Sequence, residues 1–181
     1  MRRSKLVAVV AFLSIWGTSI SSVSARTESE PESLRGLQGV GFVLVEDVLV
    51  DELPSILKKY GLTTEQLQSD LNLRLRKAGI PELPDKKLGG AVNLLYVRIT
   101  THQEQRDQFL CFTIEVVFKE QATLKRNPAT MALATIWESN STGVVGLSNV
   151  KSLREGVFQQ VDEFIKDYLS ANPKKGVGLT K

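Results

Sequence analysis

Phe109-Leu-Cys-Phe-Thr-Ile-Glu-Val-Val-Phe-Lys-Glu-Gln-Ala-Thr-Leu124 is the stretch that decides the fold. Leu110, Phe112, Ile114, Val116 and Phe118 fall on one side of a two-residue alternation. Phe109, Cys111, Thr113, Glu115, Val117 and Lys119 fall on the other. Side chains alternate across a strand, so a run this long with one wholly apolar side reads as a strand laid against a core. Lys125–Pro128 supplies a turn, and Thr130–Glu138 reads as the next strand. Its alanines let a helix approach closely, so Ala132, Ala134 and Ile136 are expected to face the core. Met131, Leu133, Thr135 and Trp137 then face away. Ser139–Gly146 is expected to be a loop.

Upstream, Ala91–Thr100 reads as a strand with Leu95, Val97 and Ile99 opposite Leu94, Tyr96 and Arg98. Polar residues 101–108 suit a hairpin connection to the quoted strand. Further back, Phe42–Val50 is rich in Val and Leu and reads as the first strand, entered through Gly36–Gly41. Asp51–Tyr60 has apolar residues at helical spacing and is expected to form a short turn.

Two segments carry helix signals. Thr63–Ala78 opens on a capping box, Thr63 with Gln66, and on a staple between Leu62 and Leu67. Leu67, Leu71, Leu75 and Ala78 form one apolar stripe. Gly79 suits the left-handed position behind a helix, and Pro81 stops continuation. Ser148–Ala171 has Leu153, Val157, Val161, Phe164 and Tyr168 on one side, widened by Phe158, Ile165 and Leu169. Asp70–Arg74 and Asp162–Lys166 are expected as ion pairs across one turn. Gly156 is expected to let this helix approach the sheet closely.

The order is strand, helix, three strands, helix. Short connections make the last three strands antiparallel, and the first strand, helix and second strand form a right-handed crossover. The expected fold is α+β: a two-layer sandwich of a four-stranded mixed sheet with two helices on one face. The face away from the helices is then more apolar than a solvated sheet usually is. Tyr96, Phe109, Val117, Leu133 and Trp137 are the candidate partner surface on it, for an envelope protein or a second copy. The competing explanations are that terminal segments cover this face, or that Trp137 belongs on the other one.

Outside the domain at 36–173, the ends read differently. Residues 1–25 have a basic start, an uncharged apolar run at Leu6–Trp16 and small residues ending at Ala25, the pattern of a cleavable signal peptide. The apolar run is shorter than the roughly 20 residues that span a bilayer. With no second long apolar segment, no stable membrane insertion is expected after cleavage. Residues 26–35 read as a flexible acidic leader and 174–181 as a disordered basic tail. Removing Arg2, Arg3 and Lys5 from the 23 basic residues leaves 20 against 20 acids, so the mature chain is formally neutral. That balance gives no reason to expect nucleic acid as a partner.

Catalytic signatures are sparse. His102 is the lone histidine and Cys111 the lone cysteine, too few for a structural zinc site or an internal disulfide. Cys111 reads as a small hydrophobe in a strand, with an intermolecular disulfide as the sharper alternative. Gly146-Leu-Ser-Asn-Val fails the nucleophile-elbow pattern at its last position. Gly39-Val-Gly-Phe-Val-Leu lacks the third glycine of a dinucleotide fingerprint. Glu46 and Asp47 are adjacent on a strand, so they point apart and make no acid–base pair. No cofactor, metal or catalytic residue is expected.

Leu-Arg-Gly-Leu at 34–37, Gly-Leu-Thr at 61–63, Leu-Arg-Lys-Ala-Gly-Ile at 75–80, Leu-Tyr-Val at 95–97, Thr-Ile-Trp at 135–137 and Phe-Ile-Lys-Asp-Tyr-Leu-Ser-Ala-Asn-Pro-Lys at 164–174 form a familiar set. Together they resemble short exported bacterial proteins of uncharacterised function. The resemblance implies a bacterial envelope or secreted location and carries no activity or site residue. The element order is also similar to small periplasmic interaction modules of the anticodon-binding-like type, a likeness of topology alone. The leading expectation is a non-enzymatic interaction module in the periplasm or outside the cell. The alternative is a binder of small apolar ligands, with a pocket between helices and sheet near Phe42, Leu71 and Phe164. A hydrolase is the remote alternative.

Overall fold

Alternating strands and two amphipathic helices assemble around a sheet of order β1-β2-β3-β4. The computed structural model describes residues 30–49, 58, 61–83, 93–102 and 108–173. The signal-like stretch 1–25, the turn expected over Asp51–Tyr60 apart from Lys58, and the tail 174–181 lie outside them. The strands are β1 (Phe42–Leu49), β2 (Asn93–His102), β3 (Phe109–Leu124) and β4 (Asn127–Gly146). β1 pairs parallel with β2, and the other pairs are antiparallel, so the sheet is mixed. The helices are α1 (Glu30–Ser33), α2 (Thr64–Ala78) and α3 (Ser152–Ala171). α2 lies against β1, and α3 lies against β3 and β4. This is the α+β architecture read from the sequence.

The core sits between the helices and one sheet face. Val43, Val45, Leu95, Val97, Ile99, Ile114, Val116 and Phe118 meet Leu67, Leu71 and Leu75 of α2 and Val157, Val161, Phe164 and Tyr168 of α3. The α2 cap forms as its sequence dictates: Thr63 accepts from the Gln66 amide, and Gly79 turns left-handed behind the helix. Gly156 faces the sheet, and a Cβ there would stand 2.9 Å from Ile114 Cδ1, so α3 approaches β3 through a position with no side chain.

Four expectations are corrected. First, residues 139–146 are not a loop; β4 continues to Gly146, paired with β3 back to Phe109. Serines, Asn140 and a glycine resemble turn chemistry, yet Ser139 and Ser141 are buried under α3. Gly143 lies under the Phe112 ring, where a Cβ would come within 2.9 Å of it. Second, Trp137 faces the core. The register steps from Lys119↔Thr135 to Phe118↔Trp137, leaving Ile136 as an extra residue in a bulge. A bulge reverses the alternation beyond it. Met131, Leu133 and Thr135 stay on the outer face, while Trp137, Ser139 and Ser141 turn inward. Trp137 is 1% exposed, edge-on to Phe164 at 5.2 Å.

Third, residues 30–35 of the segment expected to be a flexible leader pack onto the domain; residues 26–29 lie outside the described residues. Pro31 sits in the first turn of α1, where its missing N–H costs nothing. Leu34 is fully buried. Asn172, behind α3, fixes this segment: its amide nitrogen donates to the Leu34 carbonyl at 2.7 Å, and its oxygen accepts from the Gly36 amide at 2.7 Å. Fourth, the charged residues of α2 and α3 bond between helices. Arg74 holds both oxygens of Asp162 at 2.6 and 2.7 Å, and Arg154 reaches Asp70 at 2.6 Å. The two guanidiniums lie 4.7 and 5.1 Å from the centre of the Phe158 ring. A planar guanidinium that is paired and stacked gains more than a flexible pair within one helix.

Candidate interaction surface

With both long helices on one side, the other side of the sheet presents alternate residues of all four strands. On β1 these are Phe42, Leu44 and Glu46; on β2, Leu94, Tyr96, Arg98 and Thr100. On β3 they are Lys119 back through Val117 and Glu115 to Phe109, and on β4 Met131, Leu133 and Thr135 before the bulge. Past it, Glu138, Asn140, Thr142 and Val144 take over. Tyr96 and Val117 face each other across β2 and β3 and are buried, yet they stand apart from the main core.

Charged side chains cover Tyr96. The Arg98 guanidinium lies 5.1 Å from the Tyr96 ring centre and the Lys119 ammonium 5.2 Å. Long basic side chains lay their apolar stems over such a ring while their charges stay wet. The Tyr96 hydroxyl donates to Glu46 and accepts from Arg98 Nε at 2.9 Å. Arg98 also pairs with Glu115 at 3.4 Å. Burial, then the bond to Glu46, pushes the Tyr96 phenol above its ordinary value.

The five candidate surface residues are therefore not one patch. Tyr96 and Val117 are the covered centre. Leu133, 49% exposed, lies near one end with Met131, and Phe109, 61% exposed, lies at the other with Val144. Trp137 is in the core on the opposite side. The sequence reading missed Phe42 and Leu44, which are 45% and 47% exposed and share the outer side of β1. Alternation held the signal, since Val43 and Val45 are buried between and beside them. The surface is an apolar corner at Phe42, Leu44 and Leu94, bordered by the Glu46–Arg98–Glu115 charges. Such an apolar anchor with a polar rim is the anatomy of a protein interface.

The pocket expected near Phe42, Leu71 and Phe164 is not built by them. Leu71 and Phe164 are fully buried in the core, and Phe42 points out of the other face. A gap of about 10 Å³ beside Val40, Phe42 and Asn72 has room for one water. A cleft of about 380 Å³ opens instead between the starts of α2 and α3, lined by Thr63, Gln66, Lys151, Arg154 and Glu155 among others.

Polar groups under α3 bond one another. Ser139 Oγ bonds the Gln160 side chain and lies 2.9 Å from Glu163 Oε2, and Trp137 Nε1 donates to Asp167 at 3.0 Å. Ser139 is fully buried, so this hydroxyl ties strand to helix and meets no solvent. His102 and Cys111 are opposite each other across β2 and β3, both exposed. Among the described residues no three His, Cys, Asp or Glu side chains gather to hold a metal, and no helix is long and apolar enough to cross a membrane.

No family model matches the chain, and no curated protein matches it. Among solved structures it is similar to a PelC dodecamer from Paraburkholderia phytofirmans. The TM-score is 0.39 at 15% identity, covering 83% of this chain and 97% of that one. It is also similar to the Evf virulence factor, with a TM-score of 0.24 at 12% identity over 75% of this chain and 84% of that one. Likenesses this distant carry no function to this chain.

Proposed function

We propose that the protein is a non-catalytic interaction module that works outside the cytoplasm, in the bacterial periplasm or secreted, and docks an envelope protein on its outer sheet face. The observation that carries this reading is the exposed pair Phe42 and Leu44 on a sheet face that no described element covers. Neighbouring large apolar side chains left exposed at the edge of a sheet face cost solubility unless something seats on them. The fixed charges around Tyr96 supply the rim that excludes water and sets orientation. The basic-then-apolar pattern of residues 1–25 supports export.

Crosslinking in the intact envelope tests the reading. The wild-type chain is expected to capture one dominant protein, and Phe42→Asp with Leu44→Asp is expected to lose it while keeping the wild-type melting temperature. An identical crosslinked product from that variant would refute the assigned surface. Recovery of the chain only from the cytoplasm would refute the location.

A further inference from the structure

β4 is an edge strand, and such strands present unpaired N–H and C=O groups that proteins usually blunt with charge, proline, a bulge or a covering element. β4 is blunted at both ends of one segment. Pro128 stands at its start. At its far end the Ile136 bulge bends the strand, and α1 covers it there, with the Ser33 hydroxyl donating to the Ile136 carbonyl. Between these devices, Ala129-Thr-Met-Ala-Leu-Ala-Thr135 has no charge, no proline and no glycine. None of these residues is buried, and among the described residues no strand pairs with their outer edge.

We propose that this segment pairs antiparallel with the same segment of a second copy, joining two sheets into one across a two-fold axis. Charge placement selects a second copy as the occupant. Lys125 and Arg126 precede the segment, Glu138 follows it, and no acid lies between Glu120 and Glu138. A two-fold axis near Ala132 turns the basic end of one copy toward the acidic end of the other, where Glu138 lies just past the paired segment, so opposite charges approach at each end of it. A parallel arrangement would stack like on like. Met131 and Leu133, 63% and 49% exposed, share the outer face, and the axis brings each near its counterparts in the second copy. Ala132 and Ala134 lie on the other face. A two-fold contact of this kind is closed, so it stops at the dimer.

The pairing goes beyond the proposed docking surface and uses different residues. Sedimentation of the full chain over a concentration series tests it, alongside amide exchange resolved along the chain. The wild type is expected to move from monomer to dimer mass, with the amides of 129–135 slowing as concentration rises. A contact made elsewhere in the chain does not reproduce that slowing. Met131→Lys with Leu133→Lys, at exposed positions, is expected to stay monomeric with an unchanged melting temperature. Phe42→Asp is expected to dimerise as the wild type does. A wild-type monomer at every concentration, exchange at 129–135 that ignores concentration, or a dimer that survives the lysine pair would each overturn the proposal. A dimer lost in Phe42→Asp alone would also overturn it, and would assign self-association to the docking surface instead.

Discussion

Trp137 shows how much one residue's direction settles. On the outer face it would be an interface anchor; in the core it is a keystone, edge-on to Phe164 and bonded to Asp167. Trp137→Ala is expected to cost about 3–5 kcal/mol in chemical denaturation, the usual penalty for emptying an aromatic core site. That is a large share of a typical total of about 5–15 kcal/mol. A loss below about 1 kcal/mol would return the indole to the surface. Its direction was not legible in the sequence because alternation is counted residue by residue, and nothing in Thr135-Ile136-Trp137 marks the extra residue. Register is settled by the partner strand, here by Phe118 taking Trp137 opposite it. The alanines at 132 and 134 misled for the same reason: they do share the inner side, but only as far as the bulge.

Among the elements, α2 and β3 were the most legible, because their signals are local. A capping threonine, a four-residue leucine spacing and a glycine stop need no partner to be read. The second half of β4 was the least legible, since Ser139–Gly143 forms a strand only through pairing with β3. Helix charges failed in a related way: one-turn spacing identified plausible pairs, while the partners lie across the α2–α3 seam. There the guanidiniums of the Arg74–Asp162 and Arg154–Asp70 pairs both lie against the Phe158 ring. These pairs are partly exposed, so each is expected to contribute about 0.2–1 kcal/mol. A double-mutant cycle of Arg74→Ala and Asp162→Ala measures it. Coupling near zero would mean the expected within-helix pairs serve as well. The Phe158→Leu variant should weaken both pairs together, because it removes the ring they share.

At the scale of the molecule, α3 is the element that the rest of the chain closes upon. Tyr168 donates to the Leu37 carbonyl at 3.0 Å, in the segment that Asn172 also holds. Burial pushes the Tyr168 phenol above its ordinary 10.0. A raised value means that the unfolded chain ionises first as pH climbs. The stabilising contribution is therefore intact below pH 10 and is lost as pH rises toward the folded value. Stability measured from pH 8 to 11 should fall less steeply in Tyr168→Phe than in the wild type, from a lower neutral plateau because the Leu37 carbonyl loses its donor. Equal slopes would show that other groups govern the alkaline limb.

The Asn172 latch also fixes an order of events. Leu34 is among the first core residues to be made, yet the side chain that fastens its backbone is 138 positions later. Until α3 arrives, Phe118 and Ile114 lack their cover and the segment around Leu34 lacks its anchor. A chain made N-terminus first therefore cannot complete this core or fasten the Leu34 segment before α3 is present.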